Sequence, residues 1–244
     1  MDHPRTAIVT GAGKRVGAEI ARGLISDGWT VLAHVRGDPD SVPEGAIKVA
    51  ADLADGGCAE RIFAAAHGLP PVRLLVNNAA RFAFDGFGSV STDEFDAQMA
   101  VNVRAPLLLI DAFAAAHDGA GDASVVNLLD AKLSAPNPDF LSYTLSKQAL
   151  AGLTELAARA LAPKGIRVNG IAPALMLRSV GQSEENFATM SQANPLRRAV
   201  EPGDVVSALR YLIASPAVTG EVLTIDGGQR FWSLERDVQF LERQ

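Results

Sequence analysis

Only one cysteine, Cys58, occurs in the 244 residues. No disulfide can form within the chain, and a reducing, cytoplasmic compartment is expected. Histidine is scarce as well: His3, His34, His67 and His117 lie far apart, and none has a partner at ligand spacing. That argues against a metal site. Positive charge is in deficit, with a formal net charge of −6 and neither a basic stripe nor an aromatic platform. A nucleic-acid footprint is not expected. No segment reads as a membrane span, and the N-terminus lacks an apolar stretch of signal-peptide type. What remains is a soluble single domain over residues 1–244, with 48% apolar and 20% charged residues.

Short apolar, β-rich runs alternate with longer helical patterns. The runs are 7–10, 30–35, 47–50, 74–77, 124–128, 167–171 and 222–225; the helical stretches are 15–27, 59–67, 92–117, 142–161 and 204–214. Strands apolar throughout are buried on both faces, as in a parallel sheet covered by helices. The expected fold is α/β: a doubly wound, seven-stranded, mainly parallel sheet with helices on both faces. Ligands bind such sheets at the carboxyl ends of the strands. Residues 174–203 break the rhythm, with no strand and only a short helical stretch. An insertion there reads either as a cover over the site or as a surface loop.

"TGAGKRVG", residues 10–17, joins the first strand to the first helix. Gly11 allows the sharp turn, Gly13 lets backbone approach a ligand, and Gly17 permits close helix–sheet packing. A helix N-terminus aimed at that turn favours phosphate. At this place in the pattern the turn reads as a dinucleotide site of Rossmann type. The sequence argues against a kinase-type P-loop, because Lys14 is followed by arginine and not by a magnesium-binding hydroxyl. The second strand ends at Arg36, with Lys14 and Arg15 across the turn. Cations there suit a 2′-phosphate, so NADP is expected over NAD; Asp38, two residues on, reads as solvated. Two roles are open to Asp52 after the third strand: contact with adenine, or a helix N-cap.

"LLDAKLSAPNPDFLSYTLSK", residues 128–147, places Asp130 after a strand, with Tyr143 and Lys147 one helical turn apart. Such a pair also occurs as an ordinary exposed helix pair. With Thr10–Gly11 and Gly17, Asn77–Asn78–Ala79, Asn102 and "NGIAP" at 169–173, the order of motifs resembles the short-chain dehydrogenases/reductases over almost the whole chain. Arg15 stands where most members have glycine, Asp130 where most have serine, and Ala174 where proline is commonly followed by glycine. The arginine and aspartate resemble the pteridine reductase and dihydromonapterin reductase branch.

The resemblance implies hydride transfer from NADP(H) to a pterin-type substrate, a dihydropterin and in some cases dihydrofolate. It assigns proton donation to Tyr143 and the nicotinamide ribose to Lys147, whose charge would also stabilise a Tyr143 phenolate. Asn102 serves either a water-mediated proton path or a buried amide bridge. It places the cofactor on Val16, Leu53, Asn78, Ala79 and Pro173 as well, beside Tyr143 and Lys147. It places substrate on Phe82, Asp130, Tyr143 and Leu175. Phe82 reads equally as an apolar plug, and Asp130 as a cap or a partner of Lys132. A homotetramer is implied, with 92–117 and 142–161 at the interface and the tail "RFWSLERDVQFL" docked at a subunit boundary. Two other functions stay open: a general NADP-dependent ketone or aldehyde reductase, and a non-catalytic NADP-binding sensor. The Tyr143, Lys147 and Asn102 set disfavours the sensor, and the absence of G-x-S-x-G excludes a serine hydrolase of the α/β type.

Overall fold

In the computed structural model, residues 4–37, 41–179, 181–232 and 234–241 are described; His3 and Asp38 lie outside them. Seven strands, β1 (Thr6–Val9), β2 (Thr30–Val35), β3 (Ile47–Ala50), β4 (Val72–Asn77), β5 (Ala123–Leu128), β6 (Ile166–Pro173) and β7 (Val222–Ile225), form one sheet. Its order is β3-β2-β1-β4-β5-β6-β7, and every pairing is parallel. The sheet is thus wholly, not mainly, parallel. Connections reverse direction between β1 and β4, so the carboxyl ends of these two strands open a crevice for a ligand.

The period-two alternation of the strands sorts their side chains onto two faces. Ile8, Leu32, Leu75, Val125 and Val168 meet α2 (Cys58–Ala64), α4 (Ala105–Ala116) and α5 (Leu141–Leu161) on one side. Ala7, Val9, Val31, Leu74 and Val76 meet α1 (Arg15–Ser26) and α7 (Pro202–Ala214) on the other. Both faces are therefore dry, which is why the strands carry no polar alternation.

One expected helix is divided. The 92–117 stretch runs as α3 (Thr92–Met99), a π-helical segment Ala100–Arg104, and α4. By length and composition the continuous run Thr92–Ala116 could cross a membrane, contrary to the reading that no segment could. Its buried face, including Leu109, Ile110 and Phe113, instead packs into the core. Among the described residues, the insertion between β6 and α7 contains only the short α6 (Glu184–Met190), capped by Ser183.

Candidate active site

The crevice between β1 and β4 is held open by short polar ties. Thr10 Oγ accepts from the backbone N–H groups of Asn78 (2.9 Å) and Ala79 (3.0 Å), while Asn78 Nδ2 donates to the Thr10 carbonyl at 2.8 Å. Gly11 adopts φ 65°, as the turn requires. A Cβ on Gly17 would sit 2.2 Å from the Gly11 carbonyl, so close helix–sheet packing demands glycine there. At Gly13 the near neighbour is the Ser41 carbonyl, 2.6 Å from a built Cβ. This glycine therefore admits the β2–β3 connection, not only a ligand.

The turn fits a dinucleotide. No side chain caps the N-terminus of α1, and its first turn carries no acid, so its N–H groups and dipole are free for phosphate. Lys14, Arg15 and Arg36 are exposed around it. Arg15, in the left-handed region at φ 53°, donates to the carbonyls of Leu177 and Arg178. It ties the glycine turn to the insertion. Asp52 accepts from Ala54 N at 2.9 Å in a turn well before α2, so it is not that helix's N-cap. Leu53 packs in the core with Cys58 and Ile62, and Val16 packs against the opposite cluster.

His34, on β2, belongs to no motif legible in the sequence. Its Nδ1 accepts from Gly11 N–H at 3.1 Å, which leaves the Nε2 proton for the Ala51 carbonyl at 2.9 Å. Burial lowers its pKa, outweighing the Ala51 hydrogen bond and the Asp52 charge. A neutral imidazole thus ties the glycine turn to the end of β3.

Helix α5 is preceded by its N-cap Phe140, a non-glycine residue at φ 55°. Such strain persists only where neighbours enforce it. Asp85 provides the enforcement: buried, it accepts from Ser142 N at 2.9 Å and from the Ser142 hydroxyl. Tyr143 is thereby aimed into the cleft, and its hydroxyl donates to Asp130 Oδ2 at 3.1 Å. The other Asp130 oxygen accepts from Lys132 N at 2.9 Å, capping a 3-10 turn. Asp130 therefore caps the turn with one oxygen and accepts the Tyr143 hydroxyl with the other. The Lys132 ammonium turns away, to the Asp139 carbonyl and to Asp237 at 2.8 Å.

Lys147 donates to the Leu128 carbonyl at 2.7 Å and lies 5.6 Å from the Tyr143 ring centre. Burial, then the charge and hydrogen bond of Asp130, hold the phenol well above 10. Burial also raises Asp130, against the opposing Lys132 and Lys147 charges and its hydrogen bonds. Burial brings Lys147 down to about 8. In this arrangement the phenol is held protonated, with its hydroxyl on the Asp130 carboxyl group.

Asn102 sits in the π-helical segment, where such local widening re-aims a side chain. Its Oδ1 accepts from Arg81 N at 2.8 Å, and its Nδ2 donates to the Arg81 carbonyl and to Ser146 Oγ, each at 2.9 Å. The bridging role is realised, and it places Arg81–Phe82 beside α5. The Phe82 ring meets Tyr143 edge-on at 4.7 Å and stacks on Phe140 at 4.3 Å. Pro173 closes β6, and Leu175 follows, half-buried. Among the described residues no group of acids, histidines and cysteine could hold a metal.

The order of ties at the carboxyl edge of this sheet, from glycine turn to tyrosine, defines an oxidoreductase class. A family model described as Enoyl-(Acyl carrier protein) reductase matches residues 11–230. The chain belongs to the short-chain dehydrogenase/reductase family. It is 34% identical to FolM Alternative dihydrofolate reductase 1 from Brucella suis, solved in complex with NADP, with a TM-score of 0.85. That match covers 93% of this chain and 95% of the other. Pteridine reductase 1 of Leishmania tarentolae is 32% identical over 91% of this chain and 95% of its own length. L-xylulose reductase of Homo sapiens is also 32% identical, over 94% and 97%.

Proposed function

We propose that this chain is an NADPH-dependent reductase of a dihydropterin-type substrate. One observation carries the reading: the Asp130 carboxyl group, and not a hydroxyl, receives the Tyr143 phenol at 3.1 Å. A carboxylate accepts hydrogen bonds from an N–H-rich heterocycle, and when protonated it donates one. Beside a simple ketone, an ionised carboxylate repels the developing oxyanion. NADPH, when bound, supplies the hydride. Lys14, Arg15 and the α1 N-terminus hold its phosphates, Arg36 its 2′-phosphate and Lys147 its ribose. Tyr143 delivers the proton, and Phe82 offers a flat face to the ring.

The Brucella suis and Leishmania tarentolae proteins, named for dihydrofolate and pteridine reduction, support this substrate class. The similarity to L-xylulose reductase supports a second reading, a general carbonyl reductase. NADPH oxidation measured against dihydromonapterin, dihydrobiopterin, dihydrofolate and simple ketones separates them. Turnover of ketones with none of the pterins rejects the first. The assembly we propose is a homotetramer through α4 and α5, where Leu107, Leu145 and Leu156 are exposed. A monomer by light scattering at micromolar concentration rejects it.

A further inference from the structure

The sequence points the C-terminal tail at a subunit boundary, yet residues 234–241 pack on their own chain, beside Tyr143. Arg236 donates to both Asp139 oxygens, at 2.8 and 3.1 Å, and Asp237 N donates to the same carboxylate at 2.7 Å. Asp237 in turn takes the Lys132 ammonium at 2.8 Å, with both side chains largely shielded from solvent. At the far end, Asn186 of α6 donates to the Leu241 carbonyl at 2.8 Å. The tail thus bridges the β5–α5 loop, which carries Asp130, and the insertion after β6.

Between these anchors lies Phe240. Its ring stacks over Phe140 at 5.9 Å and meets Phe84 edge-on at 5.3 Å. Phe140 lies against Phe82, which touches Tyr143. Phe82, Phe84 and Phe240 are each 39–54% exposed, a large apolar exposure for three neighbouring rings. We propose that the tail is the outer wall of the substrate site, and that Phe240 sets its preference for flat aromatic substrates. The wall is held by ion pairs to the same loop that positions Asp130, so tail and proton-transfer pair form one unit. This inference rests on the reading that substrate enters the cleft at Tyr143; it does not require that the substrate be a pterin.

The test uses the full chain with Phe240→Ala, Phe240→Tyr and Arg236→Ala. Biopterin is titrated into the NADP+-loaded protein and followed by its own fluorescence. Steady-state kinetics are measured for two diketones, one aromatic (phenylpropanedione) and one aliphatic (diacetyl). We expect Phe240→Ala to weaken biopterin binding and raise KM for the aromatic diketone by about tenfold, the scale of one lost stacking partner. Its kcat, its NADP+ affinity and its KM for diacetyl should stay within about twofold. Phe240→Tyr should restore the aromatic affinity. Arg236→Ala, which removes both the ion pair to Asp139 and the guanidinium 5.1 Å from the Phe240 ring centre, should act in the same direction as Phe240→Ala. Unchanged affinity for aromatic ligands in Phe240→Ala, or equal losses for both diketones, overturns the proposal. A parent that ignores biopterin but takes the aromatic diketone in a Phe240-dependent way removes the pterin reading and leaves the tail's role standing. A parent that engages none of the three overturns both.

Discussion

The Tyr143 hydroxyl donates to Asp130 Oδ2 across 3.1 Å, thirteen residues apart in sequence and joined at the carboxyl end of β5. Because burial and this carboxyl group keep the phenol protonated, its removal should abolish turnover without disturbing the cofactor. Tyr143→Phe is expected to lose NADPH oxidation by at least about a hundredfold, the low end for a general acid. NADPH affinity, read by fluorescence titration, should be nearly unchanged. Retention of most of kcat would reject Tyr143 as the proton donor.

Lys147 gives the pH dependence. Its ammonium is present below about 8 and lost as pH rises through that value. The kcat/KM for NADPH-dependent reduction should therefore fall above about pH 8. Unfolding through this group is not the cause: a lysine whose folded pKa is depressed makes stability rise with pH between about 8 and its ordinary 10.5. A profile flat to pH 10, with the fold intact by circular dichroism, contradicts the assignment.

Arg36 stands exposed at the end of β2, where a 2′-phosphate would lie. Arg36→Ala should weaken NADPH by about tenfold or more and NADH far less, since only the former loses a charge-assisted hydrogen bond. Equal losses for both cofactors, measured as dissociation constants, would refute the 2′-phosphate contact.

His34 makes a prediction that only the fold reveals. His34→Phe leaves the Gly11 N–H and the Ala51 carbonyl without their side-chain partner. An unsatisfied buried group costs about 1–3 kcal/mol. The glycine turn should loosen, raising the NADPH dissociation constant by about tenfold, with kcat at saturation little changed. An unaltered dissociation constant in this variant removes His34 from the cofactor site.

Much of this architecture is legible in the chain. The fully apolar strands report a sheet covered on both faces, and the turn after β1 reports its ligand through Gly11 and Gly17, where geometry leaves no other residue. Two kinds of feature escape such reading. Asn102 lies in a π-helical segment whose residues, Ala100–Arg104, keep an ordinary helical pattern, so the widening leaves no local signal. The tail is hidden for a different reason. Its partners, Asp139 and Lys132, lie about a hundred residues upstream and read as ordinary loop charges until the fold brings them to Arg236 and Asp237. His34 sits alone on an apolar strand, and only the register of β2 beside β1 and β3 reveals its two backbone partners.

The proposed specificity for an N–H-rich heterocycle rests on Asp130. Asp130→Ser, compared with the parent in NADPH oxidation driven by dihydromonapterin or dihydrobiopterin, tests it most directly. A serine keeps a hydrogen-bonding oxygen for the Lys132 N–H and Tyr143 but cannot hold a charge or supply a carboxylic proton. Dihydropterin reduction should fall by at least about a hundredfold, with NADPH affinity kept and some gain in ketone reduction. Equal rates of dihydropterin reduction in the two proteins would contradict the claim, leaving Asp130 as the cap of a 3-10 turn and nothing more.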